Sequence, residues 1–370
     1  MDIDQEYLNI KVAAVGGRYL HRDHILPVLQ KLQADCRVET LGYSVNGLPI
    51  EKIRMGNGPV KILMWSQMHG NESTTTKAVL DLLMAMNSGY GNASELLNKL
   101  SLEIIPILNP DGALSYTRVN ANGIDLNRDA QDRTQPESKI LRAVFEKFSP
   151  DFCFNLHDQR TIYSAGKDKK PATLSFLSPA ADPKRTVTES RLKGMRLIAA
   201  VHKELQRVIP GQIGRYDDSF NANCVGDAFQ MLGTPTVLFE AGHFQGDYER
   251  ETTRRFVFLA LWKALALIAS DSLVSNSEKA YVSIPENKKY FFDILINNAH
   301  LLDGQPKDIG ALGILYQEQL QDGAIIFKPT VERRGNLEGY YGHVTYDCAK
   351  PDELLLLRSD YALAHLLHFN

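Results

Sequence analysis

Val60-Lys-Ile-Leu-Met-Trp65 runs into Ser-Gln-Met and then His69-Gly-Asn-Glu72. The apolar run has the length of a buried strand, and the polar tetrad ends it. Beyond it, Val79, Leu82, Leu83 and Met86 recur at helical spacing over 73–87, with Gly89 as a stop. Strand followed by helix is then repeated along the chain. Strand patterns fall at 38–44, 49–54, 60–66, 102–108, 152–156 and 235–239. Helical patterns fall at 23–33, 73–87, 136–148, 185–208 and 248–269, the third opened by Pro136 in the first turn. This alternation predicts an α/β fold, a sheet with helices on both faces.

The pattern changes after about residue 270. Residues 270–279 are polar and read as a linker. Further on, short runs such as Tyr290–Ile296 and Ala324–Phe327 alternate with Gly and Asp turns. The expected organisation is a large unit over 1–272 and a small β-rich C-terminal domain over 280–370.

Composition narrows the function classes. The net charge is −3 and no basic block stands out, so nucleic acid and anionic membranes are not expected partners. No run approaches the ~18 apolar residues of a membrane span. The start, Met1-Asp-Ile-Asp-Gln-Glu6, lacks the apolar stretch of a secretory signal. Cys36, Cys153, Cys224 and Cys348 are scattered and form no CxxC pair. Together these predict a reducing, cytoplasmic setting.

His69 and Glu72, three apart at a strand end, offer an imidazole nitrogen and a carboxylate oxygen, a mixture that catalytic Zn²⁺ accepts. A third ligand is expected at another strand end, where sites of open α/β sheets form. His157 directly follows the run Phe152–Leu156, 85 residues after Glu72 (157 − 72). Glu240 follows the run Pro235–Phe239 and offers a carboxylate that accepts a water's proton and returns it to a leaving amine. Between them, the turn-rich stretch 109–129 carries Arg118, Asn127 and Arg128. The planar fork of Arg128 suits a carboxylate, and Arg118 suits a developing oxyanion.

The order His-x-x-Glu, Arg, Asp-x-Asn-Arg, His, Glu resembles the zinc metallocarboxypeptidases, relatives of carboxypeptidases A and B. Leu41-Gly-Tyr-Ser-Val-Asn-Gly-Leu-Pro-Ile-Glu51, Asn109-Pro-Asp-Gly112, Gly123-Ile-Asp-Leu-Asn-Arg128 and Phe239-Glu-Ala-Gly242 extend the likeness over about residues 35–265. The resemblance implies a mixed, mostly parallel eight-stranded sheet and one zinc per chain, held by His69, Glu72 and His157. It implies Glu240 as general base and acid, and Arg118 polarising the scissile carbonyl. Asn127 and Arg128 would hold the terminal carboxylate of a peptide or amide substrate, and Asp125 would orient His69 from behind. Two other readings stand beside it: a zinc amidohydrolase of the aspartoacylase or succinylglutamate desuccinylase type, and a non-catalytic binding module on the same fold.

Three positions depart from the family's pattern. Phe220 stands where relatives carry a mobile Tyr, with Tyr216 as a substitute four residues earlier. For the side-chain pocket, one count reaches Asp227 and another Val225, which imply opposite specificities. Asp158 and Asp129, beside His157 and Arg128, are expected to add negative charge to the cleft.

Overall fold

Val60–Ser66 (β3) forms the middle of a sheet, with parallel neighbours on both sides. In this computed structural model, residues 6–32, 36–273, 278–302, 304 and 306–367 are described. Three expected features therefore reach outside the described residues: the last position of the 23–33 helix, positions 274–277 of the linker, and the outermost ends of both units.

Around β3 lie β1 (Arg37–Tyr43), β2 (Pro49–Met55), β4 (Leu100–Ile105) and β5 (Phe152–Asp158). After the short β6 (Ser164–Ala165) come β7 (Leu174–Leu177), β8 (Ile213–Arg215) and β9 (Thr236–Ala241). The eight-stranded order is β1-β2-β4-β3-β5-β9-β7-β8. The centre, β4 through β9, is parallel, and the pairs β1–β2, β2–β4 and β7–β9 are antiparallel. A parallel centre must be covered on both faces, and β4 and β5 are buried at every position. Ile62 and Met64 face one apolar cluster, with Leu82 and Phe258 of helices Thr74–Asn87 and Glu251–Ala269. Leu63 and Trp65 face the other, with Leu141 and Phe145 of helix Pro136–Phe148. The period-2 alternation of β3 thus supplies both cores.

The C-terminal part pairs β11 (Phe291–Asn297), β12 (Ala311–Gln321), β13 (Ala324–Gly335) and β14 (Tyr341–Asp347) in the order β13-β12-β11-β14. Ile294, Ile296, Leu312 and Ile314 form a separate apolar cluster with Leu357 and Leu363 of helices Pro351–Ser359 and Tyr361–Leu366. The short β10 (Asn287–Lys288) pairs with β6, linking this sheet to the larger body. Among the described residues, no helix is long and apolar enough to cross a membrane.

Candidate metal centre and its cleft

Parallel register fixes the site. In the β5–β9 pair, His157 stands beside Glu240, so both side chains leave the same face of the sheet at its carboxyl edge. Beyond the end of β3, Gln67 takes a left-handed conformation, φ 48°, and turns the chain toward His69. Its amide Nε2 donates to the Leu20 and Gly70 carbonyls, 2.7 and 2.8 Å away.

His69, Glu72 and His157 are all buried and offer donor atoms within 4.8 Å of one another. The Nδ1 atoms of the two histidines lie 3.1 Å apart, and each is 2.8 Å from an oxygen of Glu72. On the far side of His69, Nε2 lies 3.0 Å from Asp125 Oδ1. A carboxylate there takes the N–H and leaves Nδ1 as a lone pair aimed at the other donors. Two nitrogens and a carboxylate converging on one buried point fit Zn²⁺.

The charges are mutually supporting. Burial would push the Glu72 carboxyl up, yet His69 and His157 hold it well below its usual range. Burial opposes charge on His69, but Glu72 and Asp125 raise its pKa; His157 stays lowered, by burial. Glu240 is raised well above an ordinary carboxyl, by burial and then by Glu72 and Asp158. Its Oε2 is buried without a hydrogen-bond partner. A carboxyl that holds its proton easily, beside a metal triad, suits proton transfer.

A cavity of about 930 Å³ opens over the triad, and Arg118, Asn127, Arg128, Tyr216, Asp227 and Glu240 all line it. Arg118 sits at the triad's edge, with Nη1 3.4 Å from Glu72 Oε1 and Nη2 3.1 Å from Asp125 Oδ2. Arg128 Nη1 donates to the Asn127 carbonyl at 2.7 Å and lies 2.9 Å from Cys224 Sγ. Asn127 Oδ1 accepts from the Val225 N–H at 3.0 Å, so its side chain also caps helix Val225–Met231. That leaves only its amide nitrogen to donate to a ligand.

The same helix separates the two specificity counts. Asp227 faces the cavity, where burial lifts its pKa to about 7. Val225 instead packs with Trp65 and Phe229 in the core. Tyr216 lines the cavity, with its ring 5.4 Å from that of Tyr163. Phe220 is not among the lining residues, although Ser219 is.

The two aspartates part company. Asp129 is buried and accepts from the Thr134 and Gln135 amides at 2.9 Å each, ordering the approach to helix Pro136–Phe148. It is a cap and does not charge the cleft. Asp158 does line the cavity, but its oxygens accept from the Thr74 and Thr75 amides at the start of helix Thr74–Asn87. The positive end of that helix stabilises its charge, which still acts on Glu240.

Sequence reading missed Arg250. Buried and in left-handed conformation, φ 56°, it donates to the Ala241 and Gln159 carbonyls at 2.7 and 2.6 Å. It therefore ties together the chain just beyond His157 and just beyond Glu240. No local pattern marks an arginine that bonds only to backbone.

Residues 25–162 match the family model described as zinc carboxypeptidase. Carboxypeptidase 2 of Trichophyton rubrum is 30% identical over 109 residues, which make up 29% of this chain and 20% of that protein. The match thus spans about a fifth of that relative's length. Among solved structures, the metallo-carboxypeptidase from Burkholderia cenocepacia shares the fold, with a TM-score of 0.54 at 18% identity over 68% of this chain and 69% of that one. Carboxypeptidase A from Helicoverpa armigera covers 74% of this chain and 80% of its own, with a TM-score of 0.52 at 14% identity. Residues 25–162 are thus similar to the zinc carboxypeptidase family, and the fold of the eight-stranded sheet is shared with solved metallo-carboxypeptidases.

Proposed function

We propose that this chain is a zinc-dependent carboxypeptidase, hydrolysing the amide bond next to a free C-terminal carboxylate. The observation that carries the reading is the buried convergence of His69, Glu72 and His157 beside Glu240, in a cleft that also holds Arg128. Zinc held by the triad would activate a water and polarise the carbonyl. The chain's own residues supply the rest. Arg128 and the Asn127 amide bind the terminal carboxylate, and Asp227 faces the side chain beside it. Arg118 meets the charge that develops on the carbonyl oxygen. Glu240 takes the attacking water's proton at Oε2 and delivers it to the leaving nitrogen. Asp125 keeps His69 in the tautomer whose Nδ1 is free. Residues 1–272 form the catalytic unit in this reading, and 280–370 an accessory one.

A second reading, an N-acyl amino acid amidohydrolase, is favoured by one observation: the C-terminal sheet lines the same cavity as the triad. Mass spectrometry of zinc-loaded protein incubated with peptides and with N-acyl amino acids tests both. Stepwise loss of C-terminal residues supports the first reading; release of the acyl group alone supports the second. Inertness toward both, with zinc bound, sinks the hydrolase reading.

A further inference from the structure

We propose that the C-terminal sheet sets the length of the substrate, restricting the cleft to short amides with a free carboxylate and turning away long polypeptide tails. The inference rests on the hydrolase reading above and adds a specificity determinant to it.

The cavity is lined by different parts of the chain. The triad and Glu240 contribute to its lining, and so do β12 and the start of β13, through residues that include Tyr316, Glu318 and Phe327. An extended substrate advances only ~3.3–3.6 Å per residue. In this proposal, a chain anchored by its carboxylate at Arg128 and passing the triad meets the β12–β13 lining within a few residues. The shared cavity, of about 930 Å³, has the size of a ligand pocket.

The wall is held in place by specific bonds. Arg18, 5% exposed, pairs with Glu318 at 3.0 Å, and the Tyr116 hydroxyl donates to the same carboxylate. A buried arginine left without that partner would be costly, so the pairing resists opening. Tyr116 lies two residues before Arg118, which couples the wall to the loop that reaches the triad. The Tyr248 hydroxyl donates to Asp293 Oδ1 at 2.9 Å, and its ring lies 5.1 Å from Tyr316 and 5.5 Å from Phe327. His343 Nε2 on β14 donates to the Thr161 carbonyl at 2.8 Å, three residues beyond β5.

The test is calorimetric binding to the full-length, zinc-loaded Glu240→Gln protein of a ladder sharing one C-terminal residue. The rungs run from an N-acetyl amino acid through a dipeptide and tripeptide to an octapeptide. The expected result is a loss of at least about tenfold in affinity between the tripeptide and the octapeptide. Adding Phe327→Ala or Glu318→Gln is expected to recover binding of the octapeptide selectively. The tightest rung, acetyl amino acid or dipeptide, tells which short amide the site prefers. Affinity that is flat or rising with length overturns the proposal, as does a Phe327→Ala effect equal on every rung. Failure of all rungs to bind overturns the hydrolase reading itself, and this inference with it. Should either wall variant fold poorly by circular dichroism, the ladder on the unaltered wall still decides.

Discussion

Gly70 and Gly112 meet backbone to backbone: a Cβ on Gly70 would fall 1.9 Å from the carbonyl carbon of Gly112. Each glycine belongs to a short polar motif, and the contact sets the triad's loop directly on the helix that opens the Arg118 loop. Asn109 fastens the junction, with Oδ1 accepting from Gly112 N at 2.9 Å and Nδ2 donating to the Met68 carbonyl at 3.2 Å. Gly70→Ala therefore displaces His69 and Glu72. We expect a destabilisation of about 1–3 kcal/mol from overpacking, with reduced zinc stoichiometry. Chemical denaturation and elemental analysis would check it, and wild-type values in both would contradict the close approach.

Asp125 acts on zinc through His69. Removing a carboxylate that fixes a ligand's tautomer commonly costs about 10- to 100-fold in metal affinity or activity. Asp125→Ala should fall in that range in a competition titration against a chelator. It also frees Arg118, whose other partner is Glu72. A variant with unchanged affinity would mean that the Nε2 contact does not orient the ring.

Glu240→Gln separates chemistry from binding. Its Oε2 makes no hydrogen bond and it contributes no atom to the triad, so the variant should keep zinc while losing turnover by at least about 100-fold. Because the Glu240 carboxyl is raised above its ordinary 4.5, kcat/KM should rise with pH along an acid limb lying above that value. A limb at or below it would exclude Glu240 as the base.

How much of this was readable beforehand follows from the physics of each element. β3 and helix Pro136–Phe148 have the bounds the apolar pattern predicts, because each presents one periodic face to a single core. β7 and β8, four and three residues long, escape notice because such runs carry too little periodicity. The helices at 351–359 and 361–366 were missed within a stretch read as β-rich. Leu355 and Leu356 there are largely exposed, which blurs the apolar stripe. The triad residues were legible because ligands at strand ends leave a local mark. Arg250, the Glu318 latch and the capping roles of Asp129 and Asp158 depend on partners distant in sequence, or on backbone atoms that carry no sequence signal.

Asp81 and Arg254 form a fully buried pair 2.6 Å apart that joins helices Thr74–Asn87 and Glu251–Ala269, with the Tyr7 hydroxyl donating to the same carboxylate. Losing Asp81 leaves the buried Arg254 with Glu251, 3.1 Å away, as its remaining carboxylate, and breaking such a buried pair costs about 3–5 kcal/mol. Asp81→Ala should therefore lower unfolding stability by that amount in urea titration. A loss below about 1 kcal/mol would show that water reaches Arg254 once the aspartate is gone.

The acid side of the stability curve should be set partly by His243 and His343, whose rings meet at a tilt of 51° where the larger body meets the C-terminal sheet. Their ring centroids lie 4.2 Å apart, and neither nitrogen of His243 has a hydrogen-bond partner. Burial, the neighbouring His343 and Arg250 hold the His243 pKa well below its ordinary 6.5; burial likewise lowers His343. In the unfolded chain both take up protons as pH falls through about 6.5, whereas in the fold they resist. The unfolded state then binds more protons, so stability is complete above that pH and declines below it. His243→Phe removes one of these groups and leaves an apolar ring in an apolar place, so stability at pH 7 should be unchanged or higher. The decline between about pH 6.5 and 5 should become shallower. An equally steep decline in the variant, measured by denaturation at each pH, would assign the acid sensitivity elsewhere.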